Sequence, residues 1–192
     1  MIDDGECFPM MLVTKDGNNE GEPPRWRIVD DVVHLREWGT MTIYPLPSGR
    51  GSAVIGAARN AWLRIAAPAG HVAKELARLV RVQGSWTVRG LQTPAGVRLD
   101  GVVHAVASLS PGSEIEIGGV RLIAESRRLI ALREILARLI GWAPERGTDV
   151  DLAMRVVRLA ALHHQPLLVC GNDGDAFSAA RLLHQHTLRT EL

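Results

Sequence analysis

The stretch HVAKELARLVRV, residues 71–82, decides the fold. By itself it reads as an amphipathic helix: Val72, Leu76, Leu79 and Val80 recur at helical spacing among the helix formers Ala, Lys, Glu, Leu and Arg. The next residues, QGSWTV (83–88), are a turn and then an alternating apolar run that reads as strand. A helix would interrupt any sheet built around it. A loop running into a strand would instead form half of a hairpin closed at Gln83–Gly84.

The neighbouring segments have the grammar of strands. In VVHLRE, Val32, His34 and Arg36 alternate with Val33, Leu35 and Glu37. MTIYPLP, SAVIG, AWLRI, GSWTVRGL, GVRLDGVVHAVASL and SEIEIGGVRLIAE come after it, punctuated by glycine and proline at intervals of roughly ten residues. That spacing predicts a β-sandwich or barrel. Trp86 and Val88 fall on one side of their strand, and Leu109, Ile115 and Ile117 extend the same apolar set, so all five are expected in the core. Gly84, Gly96, Gly101, Gly112 and Gly118 fall at expected turns or close approaches.

At about Glu125 the period changes. SRRLIALREILARLIGW places Leu129, Leu132, Ile135, Leu136 and Leu139 on one helical face. VDLAMRVVRLAALHHQ predicts a second helix with Leu152, Val156, Leu159 and Leu162 in register. PLLVC (residues 166–170) is a short apolar run of the kind that makes a buried parallel strand, and AFSAARLLHQHTL predicts a third helix. A lone parallel strand has unpaired edges, so a second copy of the chain or another partner is expected to cover it.

Bulk properties narrow the function. Twenty-two Lys and Arg against 21 Asp and Glu give a formal net charge of +1, which makes no electrostatic case for nucleic acid or an anionic membrane. Cys7 and Cys170 form neither a disulfide ladder nor a CxxC pair, so a reducing compartment is expected. No apolar run is long enough to span a membrane, and MIDDGECFPMMLV lacks the basic start of a signal peptide; a cytoplasmic location is expected. TKDGNNEGEPP, polar and rich in turn formers, makes residues 1–24 an expected flexible arm. His163–His164 and His184-x-His186 lack a completing Cys or carboxylate and read as helix-end polar residues, so no metal is expected. Cys170 reads as a buried small hydrophobe. Neither a G-x-S-x-G elbow nor an arguable triad is present, so no catalytic residue is assigned.

Four motifs in order, VIG with LRI, VAKELARL, GSWTVRGLQTPAGVRLDG and LSPGSEIEIGGVRLI, give the block from Val32 to Ala124 a family likeness. It resembles a forkhead-associated (FHA) domain, whose members read I-G-R, V-S-R-x-H-A, G-x-W-x-V-x-D-L-x-S-x-N-G-T-x-V-N-G and L-x-x-G-D-x-I-x-x-G. The resemblance implies a β-sandwich of two sheets whose loops at one end read phosphothreonine in partner proteins. It also implies which positions would do so. Ala57 stands where the family has its loop arginine, with Arg59 two residues on. Ala73 replaces the phosphate-binding serine, Lys74 keeps the basic residue after it, and Leu76 replaces the bracing histidine. Ala95 replaces the peptide-holding asparagine, followed by the retained Gly96. Charge-assisted donors contribute about 1.5–3 kcal/mol each, so losing two or three weakens binding on the order of a thousandfold or more. Lys74, Arg59 and Arg98 are the candidates for a substitute basic patch, or else a solvated rim.

The segment VDLAMRVVRLAALHHQPLLVCGNDGDAFSAARLLHQHT resembles the opening of the AAA+ module of bacterial sigma-54 enhancer-binding proteins, some of which carry an FHA domain first. Gly171 and Gly174 stand in the first two glycine places of the Walker A loop, while Ala176 and Phe177 replace the last glycine and the lysine. Without that lysine the phosphates lose their main counter-charge, so nucleotide binding is expected to be inactive. No Walker B acid occurs before Leu192, which suggests a remnant or a fragment.

The expectation is therefore an α+β chain. It has an arm over 1–24, an FHA-type β-sandwich over 25–125, and a short helical and α/β segment over 126–192. It is expected to act as a non-catalytic signalling or transcription-regulatory adaptor through protein–protein contact, without cofactor. Its partner is a protein, phosphorylated or not, and phosphothreonine binding is weakened or lost. The alternative is the N-terminal fragment of a sigma-54 activator with an FHA sensor and an AAA+ ATPase. In both readings residues 71–74 belong to the recognition loop, and Leu76 to Val82 is a strand paired with SWTV. Ala for Ser and Leu for His give the stretch its helical look.

Overall fold

The computed structural model describes residues 31–47, 51–65, 73–91, 97–141, 143–163, 165–170 and 175–188. The expected arm over 1–24 lies outside them. Eleven strands come first: β1 (Val32–Glu37), β2 (Ile43–Pro45), β3 (Ser52–Gly56), β4 (Leu63–Arg64), β5 (Ala77–Val82), β6 (Ser85–Gly90), β7 (Val97–Leu99), β8 (Val102–His104), β9 (Val106–Ser108), β10 (Glu114–Ile117) and β11 (Val120–Ser126). Three α-helices come next: α1 (Arg127–Ile140), α2 (Gly147–Leu162) and α3 (Asp175–Leu188). The first sheet has the order β2-β1-β11-β10-β7-β8 and the second β4-β3-β5-β6-β9. This is the expected α+β chain, a sandwich succeeded by helices.

The ambiguous stretch is resolved by its turn. β5 pairs antiparallel with β6 from Ala77↔Gly90 to Val82↔Ser85, leaving Gln83 and Gly84 as a two-residue connection. Both have positive φ, 49° and 87°, which a tight hairpin matching the strand twist requires. Ala77 and Leu79 then turn inward and are fully buried. Tertiary pairing thus overrides helix propensity.

The sandwich core is formed by alternate residues of the two sheets: Leu35, Ile55, Leu79, Val88, Val97, Ile115 and Leu122 among them, with Trp86 and Leu109. In β1 the register slips between Val32 and His34, a bulge of one extra residue. Val32 and Leu35 therefore both reach the core, while His34 and Arg36 face the other side of the sheet.

On that other side lie the helices. β11 passes straight into α1 at Ser126, whose hydroxyl caps the helix by accepting from Leu129 N at 3.3 Å. Leu129, Leu132 and Leu136 of α1 pack with Val150, Met154 and Val157 of α2 and Leu183 of α3. Gly147 opens α2 against the β1–β2 turn; a Cβ there would stand 2.2 Å from the Gly39 carbonyl oxygen.

The structure corrects several expectations. Pro166–Cys170 is not a strand. Leu167 and Val169 merely pack on the helical cluster, Leu168 is exposed, and so is Cys170. An apolar run this short is satisfied by one face against helices, and no sheet neighbour is provided among the described residues. The unpaired edge that called for a second copy is therefore absent, and with it the strand of the α/β half-unit. In α1, Leu139 points outward and Arg133 inward. In α2 the inward residues are Val150, Asp151, Met154, Val157 and Ala160, while Leu152 is exposed. The expected stripe missed this because the inward face includes a carboxylate.

Candidate functional site: the loop end and the charged faces

The connections expected to form the recognition end do meet. Ala57 N donates to Ala73 O and Ala58 N to Lys74 O, each at 3.0 Å, and Leu76 N donates to Ile55 O at 2.8 Å. The glycine of VIG permits this approach, since a Cβ at Gly56 would lie 2.3 Å from the Lys74 carbonyl oxygen. Leu76 is partly buried against the core, beside Gly118 and Ile65. An apolar side chain therefore fills the place of the expected bracing histidine and offers no donor.

Arg59 and Lys74 are both exposed, and neither side chain pairs with another described residue. Ala57 and Ala73 supply no polar side chain beside them. Ala95 and Gly96 lie outside the described residues, as do Gly171 and Gly174. Arg98 does not join the patch. It stands on the outer face of the first sheet, across the register from Glu116, on the other sheet from Arg59 and Lys74. Among the described residues, the loop end thus presents two cations on long stems, while the side chains at Ala57, Ala73 and Leu76 supply no hydroxyl or amide donor.

Sequence reasoning missed a second concentration of charge, on the outer face of the first sheet beneath α1 and α2. Arg36 is 1% exposed, Glu125 0% and Asp151 1%. Arg36 Nε donates to Glu125 Oε1 at 2.8 Å, and its two terminal nitrogens donate to both carboxylate oxygens of Asp151. One of these also donates to Thr40 O at 2.8 Å. Gly39 N donates to Asp151 Oδ2 at 2.6 Å. His34 Nε2 lies 2.7 Å from Glu125 Oε2, and Arg133 Nε lies 3.3 Å from Oε1.

Burial alone would depress the Arg36 guanidinium, but the hydrogen bond to Asp151 and the charges of Glu125 and Asp151 outweigh it and raise its pKa. Burial would likewise raise Glu125, but the His34 bond and the Arg36 and Arg133 charges hold it below the usual carboxylate range. Further along α2, Arg155 Nε pairs with Glu114 Oε1 at 3.3 Å, and Arg121 pairs with Glu114 while stacking on Trp38. Arg158 lies 3.9 Å from Asp100; burial pushes its guanidinium below the ordinary value against the pull of Asp100 and Glu114. These charges are structural: nearly every one has a counter-charge within reach.

No catalytic constellation or group of three metal-ligating side chains occurs among the described residues. His163 is exposed, and the side chains of His164, His184 and His186 lie outside them. No described helix is long and apolar enough to cross a membrane.

Several solved structures to which the chain is similar are described as forkhead-associated (FHA) domains. The chain is similar to an FHA domain described for phosphothreonine-dependent interactions, at 20% identity over 48% of this chain and 93% of that one, with a TM-score of 0.41. It is similar to the first FHA domain of Mycobacterium tuberculosis Rv1747, at 22% identity over 51% of this chain and 98% of that one, TM-score 0.42. It is similar also to the FHA domain of the CT664 protein from Chlamydia trachomatis, at 14% identity over 47% and 92%, TM-score 0.39. No protein-family profile matches the chain. No curated protein matches it.

Proposed function

We propose that the protein is a non-catalytic, FHA-type interaction module, a signalling or transcription-regulatory adaptor whose phosphothreonine recognition is weakened or lost. One observation carries the reading. The loops Gly56–Ala58 and Ala73–Leu76 are held together by main-chain hydrogen bonds, yet the side chains they present at the donor positions are Ala57, Ala73 and Leu76. The scaffold of a reading end is kept without its reading groups. Arg59 and Lys74 leave a diffuse positive potential, enough to favour an acidic partner and too few for a specific phosphate.

The sigma-54 activator alternative rests on a helix, strand, glycine loop, helix order. Its strand is missing at Pro166–Cys170, so no observation favours it.

The test is a phosphothreonine-peptide array read by fluorescence anisotropy, with Lys74→Ala and Arg59→Ala beside the parent. The reading expects dissociation constants no tighter than about a millimolar, a thousandfold above micromolar recognition. Micromolar binding that Lys74→Ala abolishes would overturn it.

A further inference from the structure

Whereas helices cover the part of the first sheet's outer face around Arg36, Glu114 and Glu125, the outer face of the second is open. Arg64, Arg89, Val82 and Val106 are all exposed on it. The register sets its cross-strand rows. Val54, Arg78, Arg89 and Val106 stand side by side across β3, β5, β6 and β9, and Ser52, Val80, Thr87 and Ser108 form the next row. Arg64 lies beside Gly56 on β4.

Arg78 and Arg89 are thus like charges directly opposed, an arrangement that costs stability. Glu75, at 3.1 Å from Arg78, is the one acid among residues 51–91, against Arg59, Arg64, Lys74, Arg78, Arg81 and Arg89. Arg64 and Arg89 have no ion pair with a described residue, while Arg78 Nε is buried without a hydrogen-bond partner among the described residues.

The missing negative charge is elsewhere in the same chain. Residues 1–24 carry Asp3, Asp4, Glu6, Asp16, Glu20 and Glu22 against Lys15 alone. We propose that this acidic arm docks on the outer face of the second sheet, its carboxylates on the Arg78–Arg89 pair and on Arg64 beside the neighbouring Gly56. Its apolar Met10–Val13 lies on the valines that flank the row. Reach is no obstacle: the two sheets are about 10 Å apart, and 24 extended residues span about 80 Å. Tethering supplies an effective concentration near a millimolar, so a contact with a millimolar dissociation constant leaves the arm docked about half of the time. This inference does not depend on the phosphothreonine reading.

The test uses the full chain with a nitroxide on Cys7 and Cys170→Ser, read by paramagnetic broadening of backbone amides. Docking is expected to reduce the Arg78, Val80, Thr87 and Arg89 signals to about half or less. That loss should disappear when Asp3, Asp4, Asp16→Asn and Glu6, Glu20, Glu22→Gln are combined, and in about 1 M salt, where the Debye length is about 3 Å. The dispersion of the remaining spectrum confirms that the variant is folded. Broadening that is absent, that falls instead on residues 57–61 or the helices, or that survives neutralisation overturns the proposal. So does an undocked arm together with Arg89-dependent binding of polyglutamate, anionic vesicles or a single-stranded oligonucleotide, which would assign the face to an outside partner.

Discussion

The two outer faces of the sandwich both carry charge and treat it in opposite ways. Between the first sheet and the helices, Arg36, Glu125 and Glu114 of the strands meet Arg133 of α1 and Asp151 and Arg155 of α2, each within reach of an opposite charge. On the second, Arg64, Arg78 and Arg89 stand open with Glu75 as their one nearby acid among the described residues. Covering a charged face requires that every charge be matched, because an unpaired buried charge costs several kcal/mol. An open face has no such requirement and can keep an excess for something that arrives. Charge thus holds the helical layer in place on one side and is available for contact on the other.

The largest expected effect comes from breaking the covered side. Asp151→Ala leaves the Arg36 guanidinium buried with half of its partners, and should cost about 3–5 kcal/mol in urea unfolding. If the loss stays within about 1 kcal/mol, the helices do not depend on this cluster. Acid should act on the same place. Because Glu125 is held below the ordinary carboxylate pKa, its contribution is present above about pH 4.3 and is lost as pH falls through the lower folded-state value. Glu125→Gln should flatten that part of the stability-against-pH curve, and an unchanged slope would show that Glu125 does not govern it.

A smaller effect tests the seat of α2. Gly147→Ala would ordinarily help a helix by about 0.5–1 kcal/mol. Here the new Cβ meets the Gly39 backbone, which cannot rotate away as a side chain could. The expected net result is destabilisation by about 1–2 kcal/mol, and a rise in thermal midpoint would show that α2 is not seated there. On the open side, Arg89→Ser should change stability by no more than about 0.5 kcal/mol, with a slight gain from relieving its opposition to Arg78. A large loss would mean that the open face is structural after all.

Much of the fold was legible because strands and tight turns leave local marks. Alternation located Trp86, Val88, Ile115 and Ile117 in the core, and Gln83–Gly84 ended the helical reading of residues 71–82 against its own propensity. The inward face of α2 was not legible. Hydrophobic periodicity counts Leu152 and ignores Asp151, yet Asp151 is the buried one because its partner Arg36 arrives from a strand 115 positions away. The run at Pro166–Cys170 misled for a different reason: five apolar residues suit a strand or a segment lying on helices equally well. At the loop end, the family likeness named Ala57 and Ala73 as positions, while their main-chain contact, and the placement of Arg98 across from Glu116, came only from the three-dimensional pairing. The net charge of +1 concealed the segregation altogether, since an acidic arm and a basic sheet cancel in any sum.

The contrast between the two faces can be measured in one experiment. Arginine Nε–H resonances tracked by NMR from low salt to about 1 M report screening at each guanidinium, and buried pairs are screened far less than exposed ones. Arg36 and Arg133 should show slow solvent exchange and little shift, while Arg64, Arg78 and Arg89 should shift together as the salt rises. Equal salt responses on both faces, or a larger one at Arg36, would contradict the division of the sandwich into a covered structural face and an open basic one.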